Sequence, residues 1–559
     1  MAQSRILQPI MHPAQHRKLQ SIHFFPKPQP QEFQLMQSID AAWWRSAVIY
    51  QVYPRSFKDS NRDGIGDLRG VEEKLDYLSW LGISAVWFNP TFPSPNTDWG
   101  YDISDYYGVH PDFGTVDDLR HLIEAAGKRN IRIILDLVPN HTSEKHPWFI
   151  DAMSSRDAAH RDWYVFADGK GNGPPNNWID VRGECAWIHD PNSGQWYLHN
   201  FLASQPDLNW WNEDLRREFT KILSFWFDCG IAGFRIDVAH GVIKDKELRN
   251  NPETVPDHTI GEIHYHRQIQ KFNAHRPEVH EIYRSWRELA RQYSPERLLY
   301  GETDALTIEE TASYYGTDDE FQLTLNSQSV KIPGTIPALA HAVRETEKAF
   351  APTSWPSWTG SNHDIPRFPT RWGSGNIDRA RCFLLMLLTL RGTPVLYYGD
   401  ELCMQDEPMD PKFWKDPMFT PSRDSSRTPM PWSSAPNGGF TDDDIVPWLP
   451  ISRHLTPSVA EQQNDPDSPL ALTRRMIAFR SRHAEFTLSP YVSLVETSTL
   501  WAWNRGDSHI VVMNIGDKRV SCSLPSGRKV IATHIEEEGK HWNGTYVDPH
   551  EAFIVEIEQ

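Results

Sequence analysis

Hydrophobic residues along the chain repeat one unit, an amphipathic helix that leads into a short apolar strand. The first clear helix has Leu68, Val71, Leu75, Leu78 and Leu81 at helical spacing. Gly82 and an apolar strand at 84–88 follow it. Four later copies, each given as helix and strand, are 119–126 with 131–138, 219–227 with 232–237, 282–293 with 297–300, and 380–390 with 394–398. Apolar strands that alternate with helices indicate a parallel sheet covered on both faces.

The number of these units predicts an α/β fold of the (β/α)8 TIM barrel type. A further strand at 47–53 precedes the first helix, and no GxGxxG motif follows a strand, which argues against an open dinucleotide-binding sheet. Barrel enzymes carry their chemistry at the C-terminal ends of the strands. Unusual polar residues stand at four such ends: Asn140, His141, Asp237, Glu302, His363 and Asp364.

Two segments break the barrel rhythm. Residues 141–209 are rich in Gly, Asn, Pro and Trp and are too long for an ordinary loop, which predicts a small inserted domain after strand 3. Residues 487–559 change to strand-like runs separated by turns, which predicts a C-terminal antiparallel β-sandwich. The barrel itself is assigned to 41–140 and 210–486, and residues 1–40 are interpreted as a disordered tail.

Composition excludes several classes of partner. The formal net charge of −18, from 74 acidic and 56 basic side chains, opposes binding to nucleic acid or anionic lipid. No apolar run approaches the ~20 residues that span a bilayer. The five cysteines are scattered without a CxxC motif, which favours a reducing compartment, and we expect a cytoplasmic protein. The 23 tryptophans exceed the usual need of a core and suit the apolar faces of sugar rings.

Five short motifs occur in one order: DLVPNH (136–141), QPDLN (205–209), GFRIDVAH (233–240), GETD (301–304) and SNHD (361–364). Together they resemble glycoside hydrolase family 13, the α-amylase superfamily, and within it the oligo-1,6-glucosidase and α-glucosidase branch. The resemblance covers roughly residues 42–485. It implies that Asp237 is the nucleophile, Glu302 the general acid/base and Asp364 the carboxylate that stabilises the transition state.

The chemistry of a retaining glycosidase agrees with these assignments. One ionised carboxylate attacks the anomeric carbon and one protonated carboxyl donates to the leaving oxygen, with about 5 Å between them. Arg235 lies two residues before Asp237 and points to the same side of the strand, where we expect it to keep the nucleophile ionised.

The resemblance also implies residues that bind the sugar. The segment DWGYDISDY (98–106) places Asp98 and Tyr101 at the innermost glucose, although Trp99 replaces the usual Asn. His141, His363 and Phe166 are expected at the same ring. Arg367 and Arg427 match arginines that close the pocket beyond the terminal glucose, which implies exo action.

A polar loop has the spacing of a calcium site, with oxygen-bearing residues at alternate positions and glycine at the sixth. Its expected ligands are Asp59, Asn61, Asp63, the carbonyl of Ile65, and Asp67. An EF-hand would need Glu at the twelfth position, where Gly70 stands, so the loop resembles instead the metal loop of the same family. We expect a structural Ca²⁺, or Mg²⁺ in its place, and no organic cofactor.

The predicted function is hydrolysis of terminal α-linked glucose from short oligosaccharides, by a monomer or homodimer. The main alternative is a transglucosidase, which passes the glucosyl group to a sugar or alcohol. Trehalose synthase stays open, whereas sucrose isomerase is disfavoured because its RLDRD-type motif is absent. A non-catalytic protein like the transporter heavy chains is the alternative from another class. Residues 250–277 are rich in His and are expected to line the mouth of the site.

Overall fold

The fold is described from a computed structural model of the chain. It describes residues 42–253, 268–305, 307–326, 330–350, 354–419, 422–451 and 457–558. The predicted tail, 1–40, lies outside these residues, as does much of the His-rich segment 250–277.

Eight parallel strands form a nearly closed barrel. In chain order, β1 to β8 are Ile49–Val52, Ala85–Phe88, Arg132–Leu137, Gly233–Ile236, Leu298–Gly301, Leu323–Thr324, Ser357–Trp358 and Thr393–Tyr397. Each strand pairs with its neighbours in this order except that β6 and β7 are not paired with each other, and β8 pairs with β1. A side chain bridges β7 and β6, because the Ser357 hydroxyl donates to the Thr324 carbonyl at 2.7 Å. The predicted barrel is confirmed.

Helices cover the barrel strands, and their starts follow from polar caps. Thr115 and Asp118 form a capping box at one helix, and Asn212 accepts two backbone N–H groups at another. The helices are Leu68–Glu73, Leu75–Leu81, Val116–Gly127, Pro147–Ser154, Glu213–Asp228, Val279–Ala290, Ile308–Ser313, Ile336–Ala349, Phe368–Arg371, Ile377–Thr389, Val459–Gln463, Pro469–Arg482 and Glu485–Leu488. The first predicted helix is divided in two at Lys74.

The segment predicted as an inserted domain carries its own small sheet. Its three antiparallel strands are Phe166–Asp168, Trp187–His189 and Gln195–Leu198, with the last in the middle. Isolated bridges join His141 to Asp207 and Tyr164 to Leu208, which ties both ends of the segment together next to β3. Loop residues of the segment are thereby held at the face where the barrel strands end.

The C-terminal region is antiparallel and packs on the barrel. Its strands are Tyr491–Glu496, Leu500–Arg505, His509–Asn514, Val520–Ser521, Gly527–Ala532, His541–Trp542, Tyr546–Val547 and Glu551–Ile557, arranged in sheets of six and two strands. Side chains of one face, including Trp501, Trp503 and Met513, belong to the same buried cluster as the barrel. The predicted C-terminal β-domain is confirmed.

Two further observations bear on the protein's environment. Within the described part of the chain, no helix has the length and apolar character required to cross a membrane. The five cysteines are all free thiols.

Candidate active site

Two carboxylates follow neighbouring barrel strands. Strand β4 ends at Ile236 and β5 ends at Gly301, and these two residues are partners in the parallel register. Asp237 and Glu302 come next, so the register sets them side by side at the C-terminal face. The Glu302 N–H donates to the Ile236 carbonyl at 2.9 Å, and the Ala239 N–H donates to the Glu302 carbonyl at 2.9 Å. These bonds fix the spacing of the two acids.

Arg235 holds three carboxylates together. Its Nη1 lies 2.7 Å from Asp237 Oδ1 and 2.9 Å from Asp136 Oδ1, and its Nη2 lies 2.7 Å from Glu302 Oε2. Asp136 on β3 is the register partner of Arg235 on β4. Because two carboxyls share one guanidinium, the arrangement favours the short separation of retaining enzymes over the wider one that admits a water.

The charges of this cluster do not balance. A single buried cation cannot neutralise three carboxylates, so the group retains a proton. Burial raises the pKa of Asp136 to about 7, although Arg235 opposes the shift. Burial also raises the pKa of Asp237 well above its ordinary value, against the same opposition. Arg235 lowers the pKa of Asp237, which is the direction expected from the sequence, although Asp237 shares the charge of the arginine with Asp136 and Glu302.

Val238, the residue after Asp237, contacts Glu302, the acid/base candidate. Its φ is 44°, in the left-handed region, where a β-branched side chain is strained by about 1–3 kcal/mol. In this conformation the Val238 N–H donates to Glu302 Oε2 at 3.1 Å. Both Val238 and Arg235 therefore hold Oε2, which leaves Oε1 as the carboxyl oxygen able to face a substrate.

Tyr101 and His363 lie together beside the acids. Their ring centroids are 5.2 Å apart with planes 3° apart, and the Tyr101 hydroxyl lies 2.6 Å from His363 Nε2. Gln51 Nε2 donates to His363 Nδ1 at 3.0 Å, so His363 carries its proton on Nε2. Both rings are fixed in one orientation and offer a flat surface suited to a pyranose face.

Two arginines surround Asp364 and Asp98. Arg423 Nη1 lies 2.5 Å from Asp364 Oδ1, and its Nη2 lies 3.5 Å from Asp98 Oδ1. Arg427 Nη2 lies 3.3 Å from the same Asp364 oxygen, and Arg427 Nε donates to the His363 carbonyl at 2.8 Å. The four charged groups close one side of the site.

The two acids of this group differ in ionisation. Burial raises the pKa of Asp98 to about 7, with Arg423 opposing and Asp102 reinforcing the shift. Burial acts in the same direction on Asp364, but the positive groups beside it, among them Arg423 and Arg427, outweigh burial and hold its pKa below the ordinary value. Asp364 is therefore ionised over the working range of pH.

His141 completes the wall next to Asp98. Its Nε2 lies 3.1 Å from the Tyr101 carbonyl and 3.2 Å from Gln205 Nε2, and Gln205 Nε2 donates to Asp98 Oδ2 at 3.0 Å. Burial lowers the pKa of His141 to about 4, so the ring is neutral near pH 7. Gln205 comes from the QPDLN motif, and the sequence analysis did not give it a role at the sugar.

Two of the predicted substrate residues, Arg367 and Phe166, contact other parts of the protein. Arg367 is fully buried, and its guanidinium donates to the carbonyls of Tyr398 at 2.5 Å and Ser426 at 2.9 Å. In this position Arg367 supports the wall from behind, and its role in closing the pocket stays a prediction. Phe166 packs under Arg161 in the inserted segment, at 3.4 Å from the ring centroid, and its role at the sugar stays a prediction.

Arg423 is a second residue that sequence reasoning missed. It stands in the motif RDSSRTPMPW (423–432), four residues before Arg427, and only Arg427 was selected. Arg423 begins the short helical turn Arg423–Ser426, and Arg427 follows its end. Arg423 also pairs with Asp416 at 2.7 Å, which fixes the orientation of the Arg423 guanidinium. The Arg-Asp pair at the start of the motif was the sequence feature from which Arg423 could have been selected.

The predicted metal loop is a tight turn held by its own polar side chains. Asp59 Oδ1 accepts the N–H of Arg62 at 2.7 Å, Asn61 Oδ1 accepts that of Asp63 at 3.0 Å, and Asp63 Oδ1 accepts that of Ile65 at 2.8 Å. Asp67 caps the next helix through the Gly70 N–H at 2.7 Å. The oxygen donor set suits Ca²⁺.

The acids of that loop do not converge on one point. Among the residues that the structure describes, the one cluster of three His, Cys or acidic side chains within metal-binding reach is Asp467, His534 and Glu536. Asp467 there also lies 3.3 Å from the Arg381 guanidinium, which opposes a cation. Metal binding at either place would need the side chains to move.

Comparison with known proteins identifies relatives over most of the chain. The family description "Alpha amylase, catalytic domain" matches residues 51–488. A probable alpha-glucosidase of Rhizobium meliloti (strain 1021) is 38% identical over 512 residues, which cover 88% of this chain and 92% of the relative. An oligo-1,6-glucosidase of Heyndrickxia coagulans is 34% identical over 567 residues, covering 92% and 100%.

The fold is also similar to solved structures. The crystal structure of the alpha-glucosyl transfer enzyme XgtA superposes with a TM-score of 0.86 and 34% sequence identity, covering 92% of this chain and 99% of that one. The relatives thus include proteins named for hydrolysis and one named for transfer.

Proposed function

Because the chain belongs to the α-amylase family, we propose that it is a retaining, exo-acting α-glucosidase that hydrolyses terminal α-linked glucose from short oligosaccharides. The observation that carries the proposal is Arg235, whose two terminal nitrogens lie 2.7 Å from Asp237 and 2.7 Å from Glu302. Two carboxyls on one guanidinium, with one proton retained among their group, are the pair that double displacement requires.

The first step forms a glucosyl-enzyme. An oxygen of Asp237 attacks the anomeric carbon while the bond to the leaving oxygen breaks, and Glu302 transfers its proton to that oxygen. Positive charge develops on the sugar ring, and the ionised Asp364 stabilises it electrostatically. The leaving sugar departs with its hydroxyl group restored, and Glu302 is left as a carboxylate.

The second step releases glucose. Glu302, now ionised, removes a proton from water, whose oxygen attacks the anomeric carbon and displaces Asp237. A sugar or alcohol hydroxyl can replace water in the same step, which makes transglucosylation the second candidate. The similarity to the alpha-glucosyl transfer enzyme XgtA favours its inclusion.

Exo action is supported by the closed side of the site. Asp98, Asp364, Arg423 and Arg427 form a continuous charged wall, in which Arg423 contacts both acids. Such a wall offers hydrogen bonds to the hydroxyls of one terminal glucose and blocks the passage of a longer chain. The partner proposed is therefore a small oligosaccharide that enters by its non-reducing end.

The test is a product time course on maltose and isomaltose at high concentration. Two glucose molecules per disaccharide consumed supports hydrolysis, and the faster substrate assigns the linkage. Trisaccharides or a new disaccharide would support transfer instead. Asp237→Asn is the control and should reduce turnover by about 10⁴-fold or more. No change in either sugar with the wild-type protein would refute the proposal.

We also propose a structural Ca²⁺, with Mg²⁺ as an alternative, at the loop 59–67. Asp59, Asn61, Asp63, the Ile65 carbonyl and Asp67 would supply oxygen ligands, and carboxylates at alternate positions support this choice. We expect Ca²⁺ to raise the midpoint of thermal unfolding of the chelator-treated protein, and Asp63→Asn to reduce that rise. Equal midpoints with and without Ca²⁺ would count against a site.

The five free thiols support a reducing, cytoplasmic location, which we propose together with a monomeric or homodimeric state.

A further inference from the structure

Trp99 stands directly after Asp98, at the position where the family's motif usually carries Asn. Its φ is 49°, in the left-handed region, which Asn adopts readily and a bulky side chain adopts only under strain. The sugar contacts described above do not use its indole. A strained residue beside a substrate-binding acid persists only where the surrounding contacts hold it in place.

The Trp99 ring packs against side chains from distant parts of the chain. Its centroid lies 5.3 Å from that of Trp448, and the Arg55 guanidinium lies 5.4 Å from it. Trp448 stacks on Tyr53 with centroids 5.9 Å apart, and Tyr53 stacks on His363 with centroids 6.4 Å apart. Trp99 is therefore one end of a row of rings that reaches His363 beside the acids.

The indole N–H of Trp99 connects two loops. Trp99 Nε1 donates to the Lys415 carbonyl at 2.8 Å. Asp416, the next residue, accepts hydrogen bonds from Nε and Nη2 of Arg423 at 2.8 and 2.7 Å. The segment 415–416 is thus attached on one side to the turn that contains Trp99, and on the other side to the arginine that contacts both acids of the wall.

The turn that contains Trp99 also holds Asp98. The Asp98 N–H donates to Asp102 Oδ1 at 3.0 Å, and the Tyr101 N–H donates to the Asp98 carbonyl at 3.1 Å. The Asp98 side chain meets Arg423 at 3.5 Å, the longest of the ion-pair distances given for the wall. A small outward shift of the segment 415–416 would therefore separate this pair first.

We propose that Trp99 is a positioning residue that holds Arg423 against Asp98 and so sets the affinity of the site for the terminal glucose. It acts through the segment 415–416, and it does not act on the sugar directly. The inference rests on the proposed function, since it assigns a further residue to the wall of the same site.

This role separates binding from chemistry. Asp237 and Glu302 are held by Arg235 and by backbone bonds at the ends of β4 and β5, which do not involve the wall. Loss of the Trp99 clasp should therefore weaken binding of the terminal glucose while the catalytic acids keep their positions. Interactions lost equally from the bound and the transition state raise KM and leave kcat unchanged.

The test measures Trp99→Phe on maltose and on α-glucosyl fluoride. Phe keeps a ring for Trp448 and Arg55 but has no N–H for the Lys415 carbonyl. Both substrates present the same terminal glucose, and only maltose has a leaving sugar. We expect kcat/KM to fall about fivefold on both, the effect of one lost hydrogen bond, with kcat within about twofold of the wild type. The inhibition constant of glucose should rise by a similar factor.

Two further variants serve as controls. Trp542 also donates its indole N–H to a carbonyl, that of Tyr546 at 2.7 Å, but it lies in the C-terminal region, so Trp542→Phe should leave KM unchanged. Trp99→Asn suits a φ of 49°, lacks the ring and is too short to reach Lys415. This variant should fold and should show a larger rise in KM than Trp99→Phe.

A double variant tests the connection to Arg423. If Trp99 acts through this arginine, the two changes are not independent, and Trp99→Phe combined with Arg423→Lys should lose no more activity than Arg423→Lys alone. Full additivity of the two losses would show that Trp99 acts by another route, and it would overturn the inference.

The remaining outcomes also decide the question. A fall in kcat with unchanged KM would mean that Trp99 only supports the fold, and a loss confined to maltose would place it at the leaving sugar. Wild-type KM values in both Trp99 variants would mean that it positions nothing. Each of these results overturns the inference but leaves the proposed function intact. If the wild-type protein cleaves neither substrate, the proposed function fails, and this inference fails with it.

Discussion

At the scale of single residues, Arg423 contacts three acidic side chains, as many as Arg235 does. Its guanidinium touches Asp364, Asp98 and Asp416 at once. We predict that Arg423→Lys, which keeps the charge but loses the planar fork, lowers kcat/KM on maltose about 100-fold, mainly through KM. Steady-state kinetics checks this.

Arg427→Lys is the matched comparison. Arg427 contacts Asp364 through one nitrogen, at 3.3 Å, so we expect a smaller loss than for Arg423→Lys. If the two variants lose activity equally, or if Arg427→Lys loses more, the assignment of Arg423 to the terminal glucose is wrong.

Asp98 should make stability depend on pH. Its folded pKa of about 7 is above the ordinary carboxyl value, so its contribution to stability is complete at low pH and is lost as pH rises to 7. Asp98→Asn does not titrate. Relative to the wild type, this variant should therefore gain about 2 kcal/mol between pH 5 and pH 8.

Urea unfolding of both proteins at the two pH values measures this gain. Ser224→Ala, on the helix Glu213–Asp228, removes no ionisable group and is the control, which should show a pH-independent difference. A constant difference for Asp98→Asn as well would contradict the raised pKa of Asp98.

The residue types in the ordered motifs predicted many residues of the site, but they did not predict which side chains contact one another. Asp237, Glu302 and Asp364 stand at strand ends that any parallel barrel brings to one face. The selection between Arg423 and Arg427 was not available from sequence, because it depends on how the short turn at Arg423–Ser426 directs each guanidinium. The sharing of Arg235 with Asp136 likewise depends on the register between β3 and β4.

At the scale of elements, β6 and β7 are the neighbouring barrel strands that no backbone ladder joins. Ser357 donates to the Thr324 carbonyl at 2.7 Å and lies 3.1 Å from the Tyr300 hydroxyl. We predict that Ser357→Ala lowers the free energy of unfolding by about 1–3 kcal/mol, because two buried polar groups lose a partner. Urea denaturation measures it, with Ser224→Ala on a helix surface as the control. Equal losses in both would mean that Ser357 does not close the barrel.

The same two strands were not predicted as strands. Each has two residues, Leu323–Thr324 and Ser357–Trp358, so neither provides a hydrophobic period to detect. Longer strands such as Arg132–Leu137 lie within the predicted segments. The division of the first helix at Lys74 was equally hidden, since apolar spacing continues across it from Val71 to Leu75.

At the scale of the whole molecule, the C-terminal sheet and the barrel share one core. Strand Leu500–Arg505 alternates, with Trp501 and Trp503 in the barrel's buried cluster and Leu500 and Ala502 in a separate cluster of the C-terminal region. Because the first cluster is continuous, we predict one unfolding transition for both parts. Tryptophan fluorescence and far-UV circular dichroism should give the same midpoint. Two separate midpoints would show that the domains unfold independently.

Composition and the alternation of helices and strands were sufficient to predict the order of the barrel and the C-terminal region along the chain. A change from helix-strand units to closely spaced strands after residue 486 marks the C-terminal region. The continuity of the two cores could not be predicted, because an apolar face in a strand does not identify the surface that it meets.

The arrangement around Arg235 also restricts the order in which the residues of the site could be replaced in evolution. Loss of one acid leaves the arginine with two carboxylates, which reduces the excess of negative charge in this buried group. Loss of the arginine first would leave three carboxylates facing one another with no cation among them. A relative that loses sugar cleavage but keeps the fold should therefore replace an acid before it replaces the arginine. An intact Arg235 beside a replaced acid would then indicate a recent loss of catalysis.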